Sequence, residues 1–258
     1  MTISQMILSF FVYSFIGWLY ESTLCSFYGH RRFINRGFLL GPYCPIYGVG
    51  ALMCYLCFHT VQNTLLLFLL SALACGAIEY ATSYAMEKLF HTRWWDYSQM
   101  PFQLHGRVCL YGVALFGSGS VLICRNLQPL LLAALNRVQT GLNDLIAGVL
   151  VLFFTGDLVM TLVSWSGLNR GLKALHDHLS ARSEQAIEGV SDRLKQRVPL
   201  EFFEEKNALH IRIQDLNLRL KRRELRFLNA FPNMRLLRYE RDARHAELRE
   251  HIRSFFGK

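Results

Sequence analysis

Residues 65–86 read LLLFLLSALACGAIEYATSYAM, with Glu79 as their only charged residue. A helix crosses the hydrocarbon core of a bilayer with about 20 mainly apolar residues, rising about 1.5 Å at each. The run therefore predicts a transmembrane helix. Working outward, four further stretches meet the same test: Ile3 to Tyr20, Phe38 to Phe58, Val108 to Cys124 and Leu145 to Trp165. The fourth in chain order is short, but Arg107 and Arg125 flank it and can extend their charged ends to the two interfaces. Leu127 to Leu142 contains Pro129, Asn136, Arg137 and Gln139, and so reads as an interfacial helix. The fold expected is all-α: a polytopic membrane protein of about five transmembrane helices, followed by a cytoplasmic, coiled-coil-like helical tail.

The charges divide the chain. Charged residues make up 18% of the 258, below the roughly 25% of a soluble domain. Before Arg170 the basic residues are Arg31, Arg32, Arg36, Lys88, Arg93, Arg107, Arg125 and Arg137, and the acidic ones Glu21, Glu79, Glu87, Asp96, Asp144 and Asp157. All others follow, which predicts a transmembrane domain over 1–169 and a basic tail over 170–258. Arg31, Arg32 and Arg36 lie in the first loop and Lys88, Arg93 and Arg107 in the third, while the second carries no charge. With five spans, those two loops and the tail share one side, expected to be cytoplasmic, and the N-terminus lies outside. A sixth span at 127–142 would put the most basic segment outside. The net charge of +9 thus points to the anionic inner leaflet of the plasma membrane rather than to nucleic acid.

The first residues, Met1-Thr-Ile-Ser-Gln, lack a basic n-region, and no small-residue cleavage site follows, so the first run is expected to be retained. The seven cysteines are Cys25, Cys44, Cys54, Cys57, Cys75, Cys109 and Cys124. Most lie within apolar runs and their number is odd, against a disulfide framework. Cys54 and Cys57 have zinc-like spacing without a second pair, and no metal or other cofactor is expected. In the tail, Leu209, Ile213, Leu216, Leu220 and Phe227 follow a helical stripe between Pro199 and Pro232. Leu172, Leu175, Leu179, Ile187, Val190 and Leu194 form another before Pro199. Both patterns suit self-association into a homo-oligomer or docking of a partner.

A charge within a span costs about 2.5 to 3.5 kcal/mol on insertion scales, which marks Glu79 and Asp157 as functional candidates. Between Gly37 and Gly48 the chain holds Pro42 and Pro45, and cannot be a regular helix throughout. Irregular backbone at membrane depth belongs where it is buried in protein or lines a wet cavity. Trp94, Trp95 and Tyr97 suit the membrane interface, with Asp96 among them. Glu21, Arg36, Glu79, Asp96 and Arg107 are expected to converge on one cavity in the cytoplasmic leaflet.

From Tyr13 to about Gly117 the chain resembles a bacterial membrane-protein family, the putative ABC-transporter type IV or CmpB-like permeases. The matching pieces, in order, are Gly17-Trp-Leu-Tyr-Glu-Ser22, Phe33-Ile-Asn-Arg-Gly-Phe38, Gly41-Pro-Tyr-Cys-Pro-Ile-Tyr-Gly-Val-Gly50, Glu79-Tyr80, Trp95-Asp-Tyr-Ser98 and Gly106-Arg107. Asp157 also falls where similar proteins carry an acid in a late span. The resemblance implies a transporter permease. With no G-x-x-x-x-G-K-[ST] in the chain, an ATPase would be a separate subunit. Resemblance and residue chemistry together make Glu21, Asn35, Arg36, Pro42, Pro45, Tyr47, Glu79, Trp95, Asp96, Tyr97, Arg107 and Asp157 the candidate binding or pathway residues. The residues leave two alternatives open. One is an enzyme acting on a lipid or isoprenoid phosphate, with Arg36 and Arg107 on the phosphate and Glu21, Asp96 or His105 as acid or base. The other is a scaffold that docks partners through its tail.

Overall fold

The computed structural model describes residues 1–25, 35–194, 226–227, 230–231 and 234–236. They are mostly helical. Helix α1 (Ile3–Tyr20) starts in a capping box, Thr2 and Gln5 each accepting from the other's backbone, and ends in a π-helical turn at Glu21–Cys25. Helix α2 (Pro45–Phe58) is opened by its proline, and helix α3 (Thr64–Phe90) by the Asn63 side chain. Helix α4 (Leu110–Leu122) passes through a π turn, Ile123–Leu127, into α5 (Gln128–Asn136), and α6 covers Thr140–Leu194. Among the described residues, four helical runs are long and apolar enough to cross a membrane: Ile3–Thr23, Thr64–Phe90, Leu110–Asn136 and Thr140–Gly171. The protein is thus a multi-pass helical membrane protein.

The second expected span is helical only from Pro45. Its 14-residue helix is about 21 Å long, short of the roughly 30 Å hydrocarbon core. Ahead of it, residues 35–44 are irregular, as Pro42 and Pro45 require. The expectation of an interfacial helix at 127–142 needs correction. Gln128–Asn136 instead continues the helical run begun at Leu110, and Thr140 opens the next helix. The π turn restarts the helix, so Pro129 falls in the first turn of α5, where its missing N–H costs nothing. The polar residues there face α1, with Gln128 Nε2 donating to Ser9 Oγ at 2.9 Å and Gln5 Nε2 to Asn136 Oδ1 at 2.7 Å. The all-α expectation also needs small additions. Strands β1 (Thr92–Arg93) and β4 (Arg235–Leu236) pair antiparallel, as do β2 (Gln103–Leu104) and β3 (Val108–Cys109).

The chain divides into two compact units, Met1–Val159 with Leu228–Lys258, and Met160–Phe227. In the first, α1 packs on α2 and α3 on α4, through glycines. A Cβ on Gly48 would meet Phe10 and Ser14, and one on Gly117 would lie 2.9 Å from Ala72 and Phe68. Small residues let helix backbones approach where lipid supplies no hydrophobic drive. Cys54, Cys75 and Cys124 pack with Leu67 as buried apolar groups, whereas Cys57 is exposed. In the second unit, Trp165 meets Phe227 edge to face at 5.4 Å, and Leu168 is fully buried. The backbone of the stripe from Leu172 to Leu194 is helical. Leu209 to Leu220 lie outside the described residues, as do Arg31, Arg32, Pro199 and Pro232.

Candidate functional site

Three groups of polar residues are built into the first unit. The first holds the irregular segment. Backbone N–H groups without helical partners must bond elsewhere in a medium that offers no water. Here Cys44 N donates to Ser14 O at 2.9 Å, while Leu40 N and Gly41 N donate to the two Asp157 oxygens at 2.8 and 2.7 Å. The Tyr43 hydroxyl adds a third bond to Asp157 at 2.5 Å. Asn35 fastens the start: its Oδ1 accepts from Trp18 Nε1 and Gly37 N, and its Nδ2 donates to Leu40 O. Phe38 packs against Phe90 and Trp94 at the C-terminal end of α3, whereas α2 leads through a short link to the N-terminal end of α3. Residues 38–58 therefore run from one end of the bundle to the other.

The second group pairs acids with phenols. Tyr47, just inside α2, donates to Glu21 Oε1 at 2.6 Å, and Tyr97, from the loop after α3, donates to Glu79 Oε1 at 3.2 Å. Burial first, and then the negative charges of Glu79 and Glu21, push the Tyr97 phenol above its ordinary range, so it stays protonated as a donor. Glu79 is 4% exposed, and its Oε2 has no hydrogen-bond partner among the described residues. It lines a cavity of about 230 Å³ together with Tyr13, Tyr20, Tyr47, Phe116 and Ser120. Most of the remaining wall is aliphatic or small, from α1, α2, α3 and α4.

The third group lies where α3 meets its following loop. Glu87 Oε2 binds Arg107 Nη2 at 2.9 Å and Arg93 Nη2 at 3.2 Å. Arg93 also lies 3.8 Å from Asp96, and the Arg107 guanidinium sits over the Tyr80 and Tyr84 rings. Trp95 Nε1 donates to Arg107 O at 3.0 Å. Gly106, at φ 68°, closes the turn against Asp96 and Arg93, where a Cβ would stand 2.5 Å from Asp96 Oδ1.

Of the twelve candidate residues, Tyr47 and Glu79 line the cavity, and Glu21 and Tyr97 support them. Pro42 and Pro45 bracket the irregular turn held by Asn35 and Asp157, and Arg36 N donates to Ser22 Oγ at 3.3 Å. Trp95, Asp96 and Arg107 belong to the third group, so the five expected charges do not share one cavity. Arg107 is engaged by Glu87, and among the described residues no Arg, Lys or His lines the cavity.

Sequence reasoning passed over Tyr13, Tyr43 and Glu87 as site members. Two of them carried a signal in their spacing. Tyr13 stands one helical turn before Gly17, and Glu87 about two turns after Glu79. Tyr43 could be found only through Asp157, over a hundred residues away.

The sequence pattern of the putative ABC-transporter type IV family matches residues 8–162. The chain belongs to this family. The matched region contains all three groups, including Asp157, and stops before the tail. Comparison with curated proteins and with solved structures gave no match. Within this member of the putative ABC-transporter type IV family, the geometry is that of a buried acid beside an apolar cavity and a pinned irregular segment ahead of α2.

Proposed function

We propose that the chain is the membrane-embedded, permease-like component of a transporter, with the cavity beside Glu79 as the cargo site. One observation carries the reading: the irregular segment ending at Pro45 adjoins that cavity through Ile46 and Tyr47. Broken helix at such depth is tolerated where it is enclosed by protein or lines a cavity, and transporters place their sites at such breaks. The 38–58 segment then counts as a fifth crossing. In this arrangement the N-terminus is outside, and the basic loops and tail face the cytoplasm, against anionic lipid. ATP hydrolysis would come from a separate subunit, and the tail offers a surface for it or for a second copy.

Proteoliposomes provide the test. The reading expects solute or ion flux that Glu79→Gln and Asp157→Asn each reduce by about tenfold or more, an effect of about 1.4 kcal/mol. Absence of flux with the purified chain alone and with its co-purified ATPase would reject it.

A further inference from the structure

We infer that the cavity binds a protonated organic amine with an apolar body, its ammonium group seated on Glu79. Two side chains in its wall are 4% exposed and each leaves a polar atom without a partner among the described residues: Glu79 Oε2 and the Tyr13 hydroxyl. Buried polar atoms are ordinarily paired, and two unpartnered ones on side chains of a single cavity wall point to a ligand whose polar groups would meet them. Glu79 Oε1 is already occupied by the Tyr97 hydroxyl, which fixes the carboxyl group and leaves Oε2 for an incoming N–H. A carboxylate oxygen accepts and cannot donate, so the complementary group is a donor, and a cation bearing N–H groups adds charge attraction to the hydrogen bond.

The remaining wall agrees with that choice. Tyr13, Tyr20, Tyr47 and Phe116 give the cavity aromatic faces, which attract a cation within about 6 Å and also cover an apolar body. Glycine at positions 50 and 119 keeps the wall open between them, and Gly17 lets the Tyr47 ring lie close against α1. Among the described residues no basic side chain lines it, so an anionic cargo would meet the Glu79 acid with none of them to pair its charge. Placing the carboxylate near the middle of α3, rather than at a helix end, isolates it from competing water and makes the discrimination by charge strong.

The inference rests on reading this cavity as the cargo site, and its test measures binding at equilibrium rather than flux. The full chain in detergent is titrated calorimetrically with phenethylammonium, with uncharged phenethyl alcohol and with anionic phenylacetate. The cation is expected to bind about tenfold or more tightly than the alcohol, with no detectable binding of the anion. Glu79→Gln should bring the cation down to the level of the alcohol, and Tyr13→Phe should weaken both by a few fold. Should Glu79→Gln not fold, the ranking of the three probes on the unsubstituted protein, with Tyr13→Phe, decides. An alcohol that binds as well as the cation, a preferred anion, or no binding of phenethylammonium would overturn the inference. Repeating the titration in micelles containing phosphatidylethanolamine separates the two sources of such an amine. Competition points to a lipid headgroup, and undiminished binding to a free amine. A protein that binds the amine but moves nothing would sink the transport reading alone, and one that moves only other cargo would sink this inference alone.

Discussion

The Asp157 carboxylate, in α6, accepts the backbone N–H of Gly41 at 2.7 Å, across 116 residues of sequence. With Leu40 N on its other oxygen and the Tyr43 hydroxyl beside it, one acid replaces the hydrogen bonds that a helix would have given this segment. Asp157→Ala leaves two main-chain donors without an acceptor, at about 1–3 kcal/mol for each buried group. Thermal unfolding in detergent should show a clear fall in midpoint, and Asp157→Asn a smaller one because one oxygen remains. An unchanged midpoint for Asp157→Ala would mean that water satisfies the segment instead.

Glu87 bridges two arginines at once, with side chains only 11–17% exposed. Removing one partner from a largely buried ion pair leaves the other charge uncompensated, a loss on the order of 3 kcal/mol. Glu87→Gln should therefore speed limited proteolysis in the 91–109 loop and lower the unfolding midpoint. Proteolysis at the parent rate would show that the pairs are dispensable.

Gly48 brings α2 against Phe10 and Ser14 of α1 with no room for a methyl group. Gly48→Ala should separate the two helices at about 1–3 kcal/mol, the usual penalty of overpacking. Gly119, which has open space around its would-be Cβ, is the matched control: Gly119→Ala should be close to neutral. Equal effects of the two substitutions would contradict the packing described here.

Tyr97 gives a pH dependence with a definite sign. Its phenol is raised above the value near 10 that it has when unfolded, mainly by burial. The contribution is fully present below about pH 10 and is lost as pH rises further, because only the unfolded chain then releases the proton readily. Denaturation followed above neutral pH should show a steeper alkaline loss for the parent than for Tyr97→Phe. Parallel curves would mean that another tyrosine accounts for the alkaline limb.

Much of this was legible beforehand, for a physical reason. Length and hydropathy are properties of a single segment, so Ile3–Thr23 and Thr64–Phe90 could be read from composition, and the prolines at 42 and 45 announced a break in the expected span from Phe38 to Phe58. The fate of 127–142 was not legible, since Pro129 and Asn136 look interfacial until a π turn restarts the helix and α1 supplies polar partners, Ser9 to Gln128 and Gln5 to Asn136. The same limit applied to the charges. Asp96 and Arg107 stand close in sequence to the cavity acids, but Glu87 and Arg93 draw them into a separate ion-pair group. Pairing across distant segments decides such questions, and composition is silent about it.

The pairing of Thr92–Arg93 with Arg235–Leu236 also sets an order of events during synthesis. The loop after α3 is translated well before the strand that covers its edge and before the Phe231 ring that packs on Trp94. Domains assemble as the chain emerges, N-terminal parts first, so this loop waits with an open edge until residues 231–236 have been made. A ribosome stalled before residue 231 would thus present a membrane bundle whose loop is still unclosed.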